Sequence, residues 1–75
     1  MRKIELRIDE LIKEKEKIIG RSIRQMDVCA ATGIPQGTLS RYVNGHLIRF
    51  DKEILEKLMH YFDCDLNTLF RFVEQ

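Results

Sequence analysis

The chain is 75 residues long, which gives room for one hydrophobic core over residues 1–75 and no second domain; such a core keeps only about 3–5 kcal/mol of net stability. Apolar residues make up 44% and charged residues 33%, a balance that excludes a disordered tail, and no apolar run is long enough to cross a membrane. A net charge of +1 excludes a protein that coats nucleic acid indiscriminately.

In the first eight residues Ile4, Leu6 and Ile8 alternate with Lys3, Glu5 and Arg7, which is strand periodicity. Glu5, Arg7, Asp9 and Glu10 interrupt any signal-peptide core, so a reducing, cytoplasmic setting is expected. Asp9 is suited to cap a helix over roughly 9–18, with Leu11, Ile12, Ile18 and Ile19 at helical spacing and the charged residues 13–17 facing solvent; a continuous helix from about residue 3 is the competing reading.

Gly20 breaks that pattern, and Ser22 can cap a second helix with Ile23, Met26, Val28, Cys29 and Thr32 facing inward. Gly33 ends it as a left-handed glycine would, and Pro35 opens a third helix over 35–44 that stops at Asn44-Gly45. After a loop over 46–50, Asp51 caps a fourth helix carrying Ile54, Leu55, Leu58, Met59 and Phe62. Asp63-Cys64-Asp65 is a turn, and Asp65 opens a short fifth helix through Leu66 and Leu69. Phe70 to Val73 again has strand character and could pair with the N-terminal segment, within one chain or between two. The expected architecture is therefore all-α with five helices and short terminal strands at 3–8 and 70–73. Phe70 and Phe72 are open to two readings, core or dimer contact.

Charge is distributed unevenly. Residues 20–50 carry Arg21, Arg24, Arg41 and Arg49 against Asp27 alone, whereas residues 51–75 carry three basic and six acidic groups. A negatively charged partner would meet the middle of the chain. Cys29 and Cys64 are far apart, and a zinc site would have to recruit His46 and His60 without paired close ligands, so no metal or cofactor is expected. There is no Gly-rich phosphate loop and no Ser-His-Asp order, and the chain is too small for a typical cleft; no enzymatic activity is expected.

Residues 22–45, SIRQMDVCAATGIPQGTLSRYVNG, have the layout helix, glycine turn, helix. The small Cys29 stands where two steeply crossing helices approach, Ile34 plugs the turn, and Leu39 with Tyr42 anchors the second helix. Gln36, Thr38, Ser40, Arg41 and Asn44 are left for its outer face.

On Gln25, Val28-Cys29, Thr32-Gly33-Ile34, Thr38-Leu39-Ser40-Arg41, Asn44-Gly45 and the downstream EILEKLMHYFDCDLNTLF, the chain resembles the lambda-repressor and Cro-like helix-turn-helix family over roughly residues 8–72. The resemblance implies sequence-specific binding of double-stranded DNA by a transcriptional regulator, with the third helix in the major groove. It places Gln36, Gly37, Ser40 and Arg41 at base edges; the amide fork of Gln36 suits adenine and the guanidinium fork of Arg41 suits guanine. Gln25 and Asn44 correspond to phosphate contacts, Thr38 joins them at the backbone, and Arg49 is read as a backbone or minor-groove contact. Arg21 and Arg24 are read as further backbone-side charges. Three departures stand out: Arg24 replaces the usual Ser or Thr cap, Pro35 replaces a polar cap, and Gly37 replaces a side chain that often reads a base. A homodimer on a pseudo-palindromic operator is expected. The alternative is a protein-interaction module on the same fold, such as an antitoxin or anti-repressor, which an apolar outer face on the third helix would favour.

Overall fold

The computed structural model describes residues 2–45, 47 and 49–74; His46, which a zinc site would recruit, lies outside the described residues. The element order is β1 (Arg2–Leu6), α1 (Ile8–Ile19), α2 (Gln25–Thr32), α3 (Gln36–Asn44), α4 (Lys52–Phe62), α5 (Leu66–Leu69) and β2 (Phe70–Glu74). The expected five helices and both strands are present. β1 and β2 pair antiparallel within the same chain, from Arg2 opposite Glu74 to Leu6 opposite Phe70.

The boundary between β1 and α1 differs from the expected one. The strand ends at Leu6 rather than residue 8, and Ile8 is the first residue of α1 and fully buried. Arg7, not Asp9, holds the N-cap position, with backbone angles of −91° and 33°. The cause is a long-range bond: the Arg7 N–H donates to the Leu69 carbonyl at 2.8 Å, which turns the chain two residues early. Asp9 and Glu10 sit in the first turn, where carboxylates suit the positive helix end.

Ile8, Leu11 and Ile12 are the inward stripe of α1, but Ile18 and Ile19 are exposed. They lie on the same side of the helix as Leu11 and Ile12, yet the last turn leaves Ile18 83% and Ile19 42% exposed. Its polar neighbours hold that end instead. Lys15 Nζ donates to the Tyr61 carbonyl at 3.0 Å and lies 4.6 Å from the Tyr61 ring centre, and a Glu16 carboxylate oxygen accepts from the Ile23 N–H at 2.7 Å.

α2 also starts later than expected. Its N-cap is Arg24, not Ser22, and the Asp27 carboxylate reaches back to accept from the Arg24 N–H at 2.8 Å. That bond supplies the return half of a capping box, so the helix needs no hydroxyl at residue 22. Starting at Gln25, the helix turns Val28 inward and Met26, about 200° away, outward; Met26 is exposed rather than buried.

The core is one cluster: Ile8, Leu11, Ile12, Ile23, Val28, Ile34, Leu39, Tyr42, Leu58 and Leu69 are buried, with Cys29, Val43, Ile54, Leu55, Met59 and Phe62 packed around it. All five helices contribute, and α3 itself packs against α2 and α1. α4 has the expected Asp51 cap, which accepts from the Glu53 and Ile54 N–H groups, and Asp65 caps α5 by accepting from the Thr68 N–H.

Candidate nucleic-acid interface

The turn between α2 and α3 is built by three residues. Gly33 takes a left-handed conformation, φ 78°, which costs a glycine no Cβ clash, and its N–H donates to the Cys29 carbonyl at 2.8 Å. The Thr32 hydroxyl donates to the Val28 carbonyl at 2.7 Å and accepts from the Ile34 N–H at 3.2 Å. Ile34 is 2% exposed, the plug that the sequence pattern asks for. Pro35 then sets the extended backbone from which α3 starts.

α3 buries Leu39 and Tyr42, and Val43 packs against the core. Gln36, Gly37, Arg41 and Asn44 are exposed, and Thr38 and Ser40 are half-buried. Gly37, Arg41 and Asn44 fall at i, i+4 and i+7, so they share one face, with Gln36 and Ser40 beside it. Asn44 Nδ2 donates to Ser40 Oγ at 3.3 Å, which aligns the polar ends of these two side chains. No large apolar side chain is exposed on this helix, because Val43 is turned to the core.

Arg41 and Thr38 line an open concavity of about 790 Å3 that is closed on its far side by Arg49, Phe50 and Asp51. Arg41 and Arg49, eight residues apart in sequence, therefore flank the same hollow. The buried Tyr42 hydroxyl accepts the Asp51 N–H at 2.8 Å and so ties the α3–α4 connection to the core. Phe50 stands between Tyr42, at 6.3 Å between ring centres, and Phe70, at 5.1 Å. Neither the Tyr42 hydroxyl nor Phe50 emerges from the sequence as a positioning group. The available signal was an aromatic residue directly before the Asp51 cap, the place of a hydrophobic staple.

Of the remaining site residues, Gln25 is half-buried as the first residue of α2, where the N–H groups of the opening turn point outward. Arg24 is exposed one residue earlier. Arg21 is exposed in the α1–α2 connection and lines a different hollow, with Lys15, Asp27, Ala30, Ala31 and Tyr61 and no residue of α3. The structure thus gathers Gln36, Gly37, Thr38, Ser40, Arg41, Asn44 and Arg49 around α3, and leaves Arg21 apart.

Charge pairing separates these arginines from the others. Among the described residues, Arg21, Arg24, Arg41 and Arg49 make no ion pair, whereas Arg7 pairs with Glu10 at 2.9 Å and Arg71 with Glu10 at 2.6 Å. The half-buried Cys29 and Cys64 are free thiols; burial, with Asp65 and Asp63 adding to it, pushes the Cys64 thiol up and away from the reactive thiolate.

A buried and anchored glycine turn that joins α2 to an outward polar α3 is a helix-turn-helix. The sequence profile of the Cro/C1-type HTH DNA-binding domain matches residues 7–75. The chain belongs to that family, which binds DNA and regulates transcription. No curated protein and no solved structure matches it.

Proposed function

We propose that the chain is a repressor-like transcriptional regulator in the cytoplasm that binds a specific DNA site as a homodimer, without a catalytic step. In this reading α3 lies in the major groove, Gln36, Ser40 and Arg41 meet base edges, and Gly37 lets the helix backbone come close between them. The opening turn of α2, with Gln25 and Arg24, holds one phosphate strand, and Thr38, Asn44 and Arg49 hold the other side. Arg21 adds only general attraction from its separate position.

The observation that carries this reading is that the outward face of α3 is polar, and that Arg41 on it and Arg49 in the same hollow make no ion pair among the described residues. An interaction module for another protein would be expected to show apolar side chains there, and α3 turns its apolar residues inward.

The direct test is selection of bound duplexes from a random pool at low salt. We expect a two-fold symmetric site with half-site centres roughly 34 Å apart, or a multiple of that, and affinity that falls steeply as salt rises. A pool that stays random after repeated selection removes the regulator reading and favours the protein-module alternative.

A further inference from the structure

The connection from α3 to α4 is held at several points along its length. Leu47 packs against the core. Two residues beyond the exposed Arg49, the Asp51 N–H donates to the buried Tyr42 hydroxyl at 2.8 Å, so a side chain of α3 holds the backbone nine positions ahead of it. Between these two the Phe50 ring lies 6.3 Å from Tyr42 and edge-on to Phe70 at 5.1 Å. Arg49 therefore stands between anchored neighbours on both sides.

We infer that Tyr42 is a positioning residue whose hydroxyl, by fixing the backbone at Asp51, holds Arg49 beside α3 for contact with DNA. The inference deepens the proposed function and rests on its DNA reading. Neither helix needs this hydrogen bond. The N–H of an N-cap residue has no partner inside its own helix, and the α4 cap is made by the Asp51 side chain, which accepts from the Glu53 and Ile54 N–H groups. Nor does the core need the oxygen, because a phenylalanine ring fills almost the same volume. What the hydroxyl adds is a fixed end for the connection that carries Arg49.

The benefit lies in the free protein. A loop that has to be ordered on binding gives up affinity for that ordering, and a long arginine side chain adds its own share. Here the backbone around Arg49 is fixed beforehand, so only the side chain remains to be ordered. Arg49 lines one hollow with Thr38 and Arg41, and neither arginine makes an ion pair among the described residues. Asp51 lines the same hollow, but one of its carboxylate oxygens already accepts two N–H groups of α4. The residue that receives the Tyr42 anchor through its backbone thus has its acid engaged in the cap.

The test is a double-mutant cycle with the full chain on the duplex that the wild type selects, using Tyr42→Phe, Arg49→Ala and the two together. Tyr42→Phe should weaken binding about three- to tenfold when Arg49 is present and have no effect in the Arg49→Ala background. Arg49→Ala should lower the slope of log affinity against log salt by about one, and Tyr42→Phe should move it in the same direction. Without DNA, nitrogen-15 relaxation should show faster motion at the Arg49 and Phe50 amides of Tyr42→Phe, with the α3 amides unaltered. If Tyr42→Phe is too unstable to compare, Phe50→Leu loosens the same connection from the ring side and should repeat the pattern. An equal loss with and without Arg49, no loss at all, or unaltered motion in the connection overturns the positioning role and leaves the DNA reading standing. A wild type that ignores every duplex sinks the DNA reading, and the part given to Arg49 falls with it.

Discussion

The helix-turn-helix and the paired ends of the chain use arginine in opposite ways. At the ends, Arg7 Nε donates to Glu10 at 2.9 Å, its Nη1 donates to the Thr68 carbonyl at 3.0 Å, and Arg71 shares the same Glu10. These guanidiniums fasten β2 and α5 to α1. Around α3, Arg41 and Arg49 line a hollow shared with Asp51, yet neither makes an ion pair among the described residues. The two groups carry the same charge and differ in whether the fold supplies a counter-charge. An arginine that the chain neutralises is architecture; one it leaves unpaired is available to a partner. Net charge alone, at +1, hides this division.

The largest effect should come from the core that holds α3 in place. Leu39 is fully buried, and Leu39→Ala should cost about 2–5 kcal/mol. That is as large as the margin expected for a chain of this size, about 3–5 kcal/mol. Urea denaturation should show a largely unfolded variant with no DNA binding at any sequence. A stable Leu39→Ala variant would mean that α3 is not seated by its inward face.

Next, the two kinds of arginine can be exchanged in effect. Arg41→Ala should leave the denaturation midpoint unchanged and cost about 1–3 kcal/mol of discrimination at one base position. Arg71→Ala should lower the midpoint and leave the selected DNA site unaltered. If Arg41→Ala weakened all duplexes equally, Arg41 would be a phosphate contact; if Arg71→Ala changed the selected site, the division drawn above would fail.

A smaller effect belongs to acid. The Arg7 guanidinium, followed by Arg71, holds the Glu10 carboxyl below the ordinary glutamate range, and the Thr68 N–H does the same for Asp65. Groups with lowered folded values add stability that is complete above the ordinary carboxylate range and is lost as pH falls through the lowered values. The wild type should therefore lose stability below that range, and Glu10→Gln should flatten part of the loss. A Glu10→Gln profile parallel to the wild type would show that the end network contributes nothing measurable.

The helix-turn-helix was legible because its signals are local. Gly33, Pro35 and Asn44-Gly45 mark ends that depend on a residue's own backbone preferences, and Ile34, Leu39 and Tyr42 follow from helical spacing. The ends were less legible because distant partners decide them. Arg71 and Glu10 are 61 positions apart, and the bond from Arg7 to Leu69 sets where α1 begins, so neither pattern nor propensity could place the boundary at residue 8 rather than 9. Ile18 and Ile19 have the right spacing, but periodicity cannot say whether a neighbour exists to cover them. The outward residues of α3 were identifiable as those the core does not need. Which arginines would be paired was not, since that depends on tertiary proximity of carboxylates.

The smallest effect tests the gap in the middle of the reading face. Gly37 is exposed in the first turn of α3, and a Cβ placed there meets nothing within 4 Å. Its backbone is not left-handed, so the fold has no need of glycine at this position. Gly37→Ala should then stabilise the chain by about 0.5 kcal/mol, since glycine is the poorer helix former. For a chain of this size that is about 2–4 °C in Tm. In the proposed function this glycine, central among Gln36, Ser40, Arg41 and Asn44, is where DNA comes close to the helix backbone. If so, Gly37→Ala should gain stability yet bind the selected site more weakly, and Gly37→Gln should shift base preference at one position. A gain in stability with an unchanged site would place Gly37 away from the bases, and the outward face of α3 would be read only at its edges.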